Sequence, residues 1–170
     1  SNEKWRILVG KEEEDDKFRD VEVLLRSFAL LYDEKSYTGS MVQFLNRFSK
    51  AAQKFEKEEV EKCKQVFEDF LTVCEPIDPK EFLTKTGSFN VSLFDSVFVV
   101  IAKRIILSGV DSSKISSKAF DSLKNDATFR NAITHSTSHV DSVKSRLSLA
   151  RKYLYGIVDS EPSGEGEDGK

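Results

Sequence analysis

The 170 residues carry 26 Lys+Arg against 29 Asp+Glu, a net charge of −3, with 39% hydrophobic and 32% charged side chains. That balance fits one soluble domain with a real core, argues against a wholly basic nucleic-acid binder, and leaves too little chain for two comfortable domains. Thirteen Phe against one Trp and one Met forecast an aromatic-rich interior, and only three Pro and eight Gly favour long helices over many short strands.

From the start, Trp5, Leu8 and Val9 lie on a short helical pattern that ends at Gly10, followed by the charged connector KEEEDDK, 11–17. In RDVEVLLRSFALLYD the residues Val21, Leu24, Leu25, Phe28 and Leu31 recur at helical intervals. Its opening cluster, Arg19, Asp20, Glu22 and Arg26, places acids at the positive helix start and Glu22–Arg26 at i,i+4, so a structural reading prevails over paired catalytic carboxylates. Ser40 and Gln43 have capping-box spacing for a helix burying Val42, Leu45, Phe48 and Ala52. Residues 56–75 form the next helix, with Val60, Cys63, Phe67, Phe70, Leu71 and Cys74 inward. Cys63 and Cys74 on one helix stand roughly 16 Å apart, beyond disulfide reach, so a reduced, cytoplasmic protein is expected.

Asp78-Pro79 starts a short helix that Thr86-Gly87-Ser88 stops. Asn90 caps 91–107, the most apolar stretch; a buried strand over VFVVIA is considered, but length and helical neighbours favour a central helix. Three helices follow: 113–124, 127–134 capped by Asp126, and about 139–158 with Thr137 or Ser138 as cap. EPSGEGEDGK reads as a disordered acidic tail, so the expected organisation is a helical domain over 1–158 and a tail over 159–170. The fold class is all-α, a single domain of six to eight helices around a Phe-rich core. No apolar run approaches a membrane span, and the first residues lack a secretory pattern. Ser1-Asn2 reads as a cleavage remnant, so a fragment of a longer protein is expected.

Charge is uneven. Residues 96–152 hold ten Lys+Arg and four Asp+Glu, a local balance of +6, against −5 over 1–95 and −4 over 153–170. Such a region can meet a polyanion. The cations expected to touch DNA phosphates are Lys144, Arg146, Arg151 and Lys152 on the last helix, with Lys103 and Arg104 as second choice.

FRNAITHSTSH, 129–139, holds both histidines. Arg130-x4-His135 has the spacing used by HEPN-type ribonucleases, in which a histidine can act as base and an arginine can hold the phosphate. Yet five residues on an ideal helix rotate by about 140°, so the two side chains do not share a face. His135 and His139 suit a metal only on one unbroken helix, and Ser136-Thr137-Ser138 reads as a break. No metal, no cofactor and no catalytic triad is expected.

Several stretches resemble one family taken together. WRILVG, RDVEVLLRSFALLYDEKSYTGSMVQFLNRF, FNVSLFD and FRNAITHSTSHVDSVKSRLSLA are similar to the helical region of GmrSD-like restriction and phage-defence proteins. The residues carrying the resemblance include Trp5, Arg19, Asp20, Glu22, Arg26, Phe44, Asn46, Phe89 and Asn90, with the Arg146-Leu147 pair closing the pattern. In that family the helical region follows a ParB/sulfiredoxin-like nuclease domain, and some members add an HNH nuclease. The nuclease motif Asp-Gly-Gln-Gln-Arg is absent from these 170 residues, as is an HNH motif. The resemblance therefore implies a non-catalytic helical domain that supports a nuclease domain and meets DNA or a second subunit. The alternatives are a HEPN-like ribonuclease using Arg130 and His135, and a protein-interaction module.

Overall fold

The computed structural model describes residues 3–10, 19–108 and 114–157. Its axis is a helix, α5 by chain order, spanning Val91–Ser108, in which twelve residues from Ser92 to Ile105 are buried. A helix apolar on every side has to be enclosed, and this one is as far as Ala102, while Arg104, Ile106 and Leu107 of its last turns are exposed. It packs against Arg19–Asp33 (α2), Lys57–Val73 (α4), Ala127–Thr134 (α7) and Val140–Tyr155 (α8). Met41–Ala52 (α3) lies on α2, Ser117–Asn125 (α6) lies on α7 and α8, and Glu3–Val9 (α1) lies on the 3₁₀ turn Pro79–Phe82. The described residues are all-α, with one isolated bridge between Leu83 and Phe89. No helix among them is long and apolar enough to cross a membrane.

Local chemistry sets the helix limits. Asn90 Oδ1 accepts the Leu93 amide at 3.0 Å, Asp126 Oδ1 the Phe129 amide at 2.8 Å, and Asp78 Oδ1 the Lys80 amide at 2.9 Å. Each carboxylate or amide oxygen satisfies an N–H that the first turn leaves without a partner. Gly156 ends α8 at φ +67°, a left-handed conformation that glycine adopts without a Cβ clash.

The phenylalanines share one core. Phe94 and Phe98, successive turns of α5, meet Phe70 of α4 edge-on at 5.6 and 5.0 Å. Trp5 of α1 closes the end of this cluster, edge-on to Phe67 at 5.6 Å and to Phe89 at 6.0 Å. Edge-to-face rings add about 0.5–1.5 kcal/mol per pair beyond burial.

Several inward assignments fail. Val42 is 71% exposed, because Met41, Phe44, Leu45 and Phe48 form the stripe on which α3 seats and Val42 stands about 110° away. Val60 and Val21 are exposed as well. Residues 56–65 are exposed on every side except at half-buried Cys63, so the first turns of α4 extend past the neighbours that would cover them. Ile115 is buried but precedes α6, which Ser116 caps instead of residues near 113. Residues 11–17 and 159–170, where a connector and an acidic tail are expected, lie outside the described residues.

Candidate functional site

Three helices bring charge into the centre of the molecule. Asp95 of α5 is 0% exposed, and so is Arg146 of α8. Arg26 of α2 places Nε 2.6 Å from Asp95 Oδ2, and Arg146 Nη2 lies 3.6 Å from the same oxygen. Ser27 donates its hydroxyl to Asp95 Oδ1 at 2.8 Å. Arg146 Nη1 donates to the Thr137 carbonyl at 2.6 Å, and the Tyr37 hydroxyl donates to the Ser138 carbonyl.

Charge, more than aligned hydrogen bonding, holds this group together. Arg26 Nε and Nη2, Arg146 Nε and Nη2, and Asp95 Oδ2 are buried without a hydrogen-bond partner of good geometry, although the oxygen faces both guanidiniums. Burial pulls the Arg146 pKa down to about 10, Asp95 opposes that fall and Arg26 adds to it. Two cations against one carboxylate in a desolvated place make an expensive arrangement that an apolar core would avoid. A carboxylate this enclosed cannot reach a substrate, so the centre serves structure.

This placement corrects two expectations. Arg146 is not a surface cation for DNA phosphates, because it points into the core between Val143, Leu147 and Ala150. Arg26 turns inward to Asp95, so the expected Glu22–Arg26 surface pair does not form. The other residues of the resemblance divide. Trp5 and Phe44 are buried, Phe89 packs on Trp5, and Asn90 caps α5, whereas Arg19, Glu22 and Asn46 are exposed and Asp20 is half-buried.

The remaining expected cations stand on the outer sides of α5 and α8. Glu34 gathers two of them: Lys103 pairs with its Oε2, and Arg151 Nη1 lies 3.7 Å from its Oε1. Arg104 stacks over Tyr155 at 5.5 Å, and Lys152 over Tyr153 at 5.6 Å. Lys144, Arg104 and Lys152 are exposed, and none of the three enters an ion pair among the described residues. Nothing local in the sequence singles out Glu34, which is brought to these cations by the fold. A basic stretch interleaved with Tyr153 and Tyr155 was the available signal.

Arg130 and His135 are both exposed, and neither a hydrogen bond nor an ion pair joins them. His135 is the residue after α7, and its Nδ1 faces the Thr134 hydroxyl at 2.9 Å. His139 precedes α8, and Ser136 between the two histidines has φ +46°. The histidines therefore do not share a continuous helix. His139 itself is the residue before α8 and makes no side-chain cap bond; the carbonyls of Thr137 and Ser138, the expected caps, go to Arg146 and Tyr37. Among the described residues no group of three or more His, Cys, Asp or Glu could hold a metal ion. No family model, no curated protein and no solved structure matches the chain.

Proposed function

We propose that this chain is the helical, non-catalytic region of a GmrSD-like restriction or phage-defence protein, supporting a ParB-like nuclease domain and contacting DNA phosphates. One observation carries the reading. Arg26, Asp95 and Arg146 belong to three separate stretches of the resemblance, and they meet in one buried centre. A pattern scattered along the sequence is best explained when its members are partners in space.

The DNA contact is narrower than the charge count suggests. Lys144, Arg104 and Lys152 carry it, and the tyrosines beneath two of them restrict the side chains while leaving the charged ends in solvent. Lys103 and Arg151 contribute less, since both already face Glu34. Contacts of this kind are sensitive to salt and indifferent to base sequence.

Two measurements test the reading separately. The gene's full reading frame should encode Asp-Gly-Gln-Gln-Arg upstream of residue 1, and a frame without it removes the family assignment. Retention of a DNA duplex at low salt should be lost when Arg104, Lys144 and Lys152 are all replaced by Glu. Retention unchanged by that triple reversal removes the DNA contact.

A further inference from the structure

A groove of ≈ 510 Å³ opens between the 83–90 segment, the end of α6 and the outer face of α7. Its floor is apolar: Leu83, Leu93 and Ile133 line it. Its rim is cationic: Lys85, Lys124 and Arg130 come from three different elements. No Asp or Glu lines it, in a chain whose acids outnumber its bases 29 to 26.

The three cations are not equivalent. Lys124 donates to the Glu81 carbonyl at 2.9 Å and pairs with the Glu81 carboxylate, so its charge is largely answered. Lys85 and Arg130 are exposed, and neither is in an ion pair among the described residues. Arg130, Ile133 and Thr134 share one side of α7 by their i, i+3, i+4 spacing, which sets the guanidinium beside the apolar floor. Asn90 Oδ1 is engaged by the Leu93 amide, which leaves its NH₂ as the end able to donate. The groove thus offers donors and positive charge around an apolar base, and the Glu81 carboxylate beside it is held by Lys124.

We propose that this groove binds a small phosphate monoester carrying a flat or apolar body, of which a nucleoside monophosphate is the representative. The phosphate uses both unanswered cations, a guanidinium fork and an ammonium, better than a single carboxylate can. The body lies against half-buried Leu83, above the buried Leu93 and Ile133. The volume lies within the ~300–1,000 Å³ of small-molecule sites. This inference is independent of the DNA contact, which uses other cations on α5 and α8.

Titration of the full chain with AMP, adenosine and inorganic phosphate, followed by amide chemical shifts or calorimetry, tests it. AMP should bind saturably, shifting the amides of Leu83, Arg130 and Ile133, and adenosine and phosphate should each bind at least about tenfold more weakly. The Lys85→Glu/Arg130→Glu double variant should lose about tenfold or more in AMP affinity. Arg130→Lys, which keeps the charge but loses the fork, should bind AMP more weakly than the parent and more tightly than the double variant, and Lys144→Glu should leave the affinity unchanged. Both replaced residues are exposed, so circular dichroism should report an intact fold. The proposal is overturned by absence of saturation up to about 10 mM AMP, by adenosine or phosphate binding as well as AMP, or by a folded double variant that binds AMP normally.

Discussion

Replacing Asp95 by Asn isolates the charge at the centre of the fold. Asn has nearly the same shape and can still accept the Ser27 hydroxyl, which lies 2.8 Å from Oδ1. What disappears is the negative charge facing Arg26 and Arg146. Arg26 can relax, because 17% of its side chain already reaches solvent, but Arg146 at 0% cannot. Leaving a buried cation without its counter-ion costs about 3–5 kcal/mol. That is a large part of the ~5–15 kcal/mol that holds a domain together. In urea, with a slope near 2 kcal/mol per M, the midpoint should fall by about 1.5–2.5 M. A thermal scan should show a Tm lowered by about 6–20 °C. Asp95→Asn combined with Arg146→Met should be less destabilised than the two single changes added together, by about 1–3 kcal/mol, because the stranded cation is gone. A loss below about 1 kcal/mol for Asp95→Asn, or a double variant additive within about 0.5 kcal/mol, would refute this account of the centre.

The proposed DNA contact makes a quantitative demand. Three phosphate contacts through Arg104, Lys144 and Lys152 imply a log–log salt slope near −2.7, hence about a 40-fold loss of affinity between 50 and 200 mM salt. A slope near zero in a filter-binding series would remove those residues from the interface, as would a slope unaltered by reversing them. Alkaline pH supplies a different test. Burial pushes the Cys74 thiol well above its ordinary value, so the folded protein keeps the proton that the unfolded chain releases above pH ~8.5. Fewer protons on the unfolded state means stability falls as pH rises, by at most about 1.4 kcal/mol per pH unit. The Tyr32 and Tyr37 hydroxyls, also raised by burial, act in the same direction above pH ~10. Arg146, drawn down to about 10, acts in the opposite direction, gaining stability as pH climbs from there toward the unfolded value. Cys74→Val should therefore flatten the decline measured by denaturation between pH 8.5 and 10, and an identical decline in both proteins would refute the thiol's part in it.

The helices were readable because their signals are local. Asp126 as cap and the Phe129, Ala132, Ile133 spacing place α7 at Ala127–Thr134, the limits expected from sequence. Burial is less local. Val42 and Val60 carry the right chemistry for a core, but both stay exposed on the outer sides of their helices. The signal for Arg146 is present in the sequence: it lies on the stripe of Val143, Leu147 and Ala150, where a cation has to enter the interior. Asp95 within SLFDSVFVVIA gave the complementary signal, a lone acid in the most apolar stretch. Neither residue names its partner, because the pairing depends on how α5 and α8 cross. The gathering of Lys103 and Arg151 at Glu34 was hidden for the same reason.

The polar centre also explains how α8 can present cations reliably. Lys144 and Arg151 are seven residues apart, so they lie within about 20° of one another around the helix, while Arg146 is about 160° from Lys144. Holding Arg146 inside therefore turns Lys144 outward. An apolar residue at 146 would tolerate several rotations of α8, but a guanidinium that meets Asp95 and donates to the Thr137 carbonyl tolerates few. That same bond, with the Tyr37–Ser138 contact, fixes the connector between α7 and α8. Arg146→Met in the Asp95→Asn background should thus remove the stranded charge without recovering orientation. The expected result is faster amide exchange at Ser138–Val140 and weaker DNA retention, with Lys144 itself untouched. If exchange and retention in the double variant match the parent protein, the buried charges set no geometry, and Arg146 contributes only to stability.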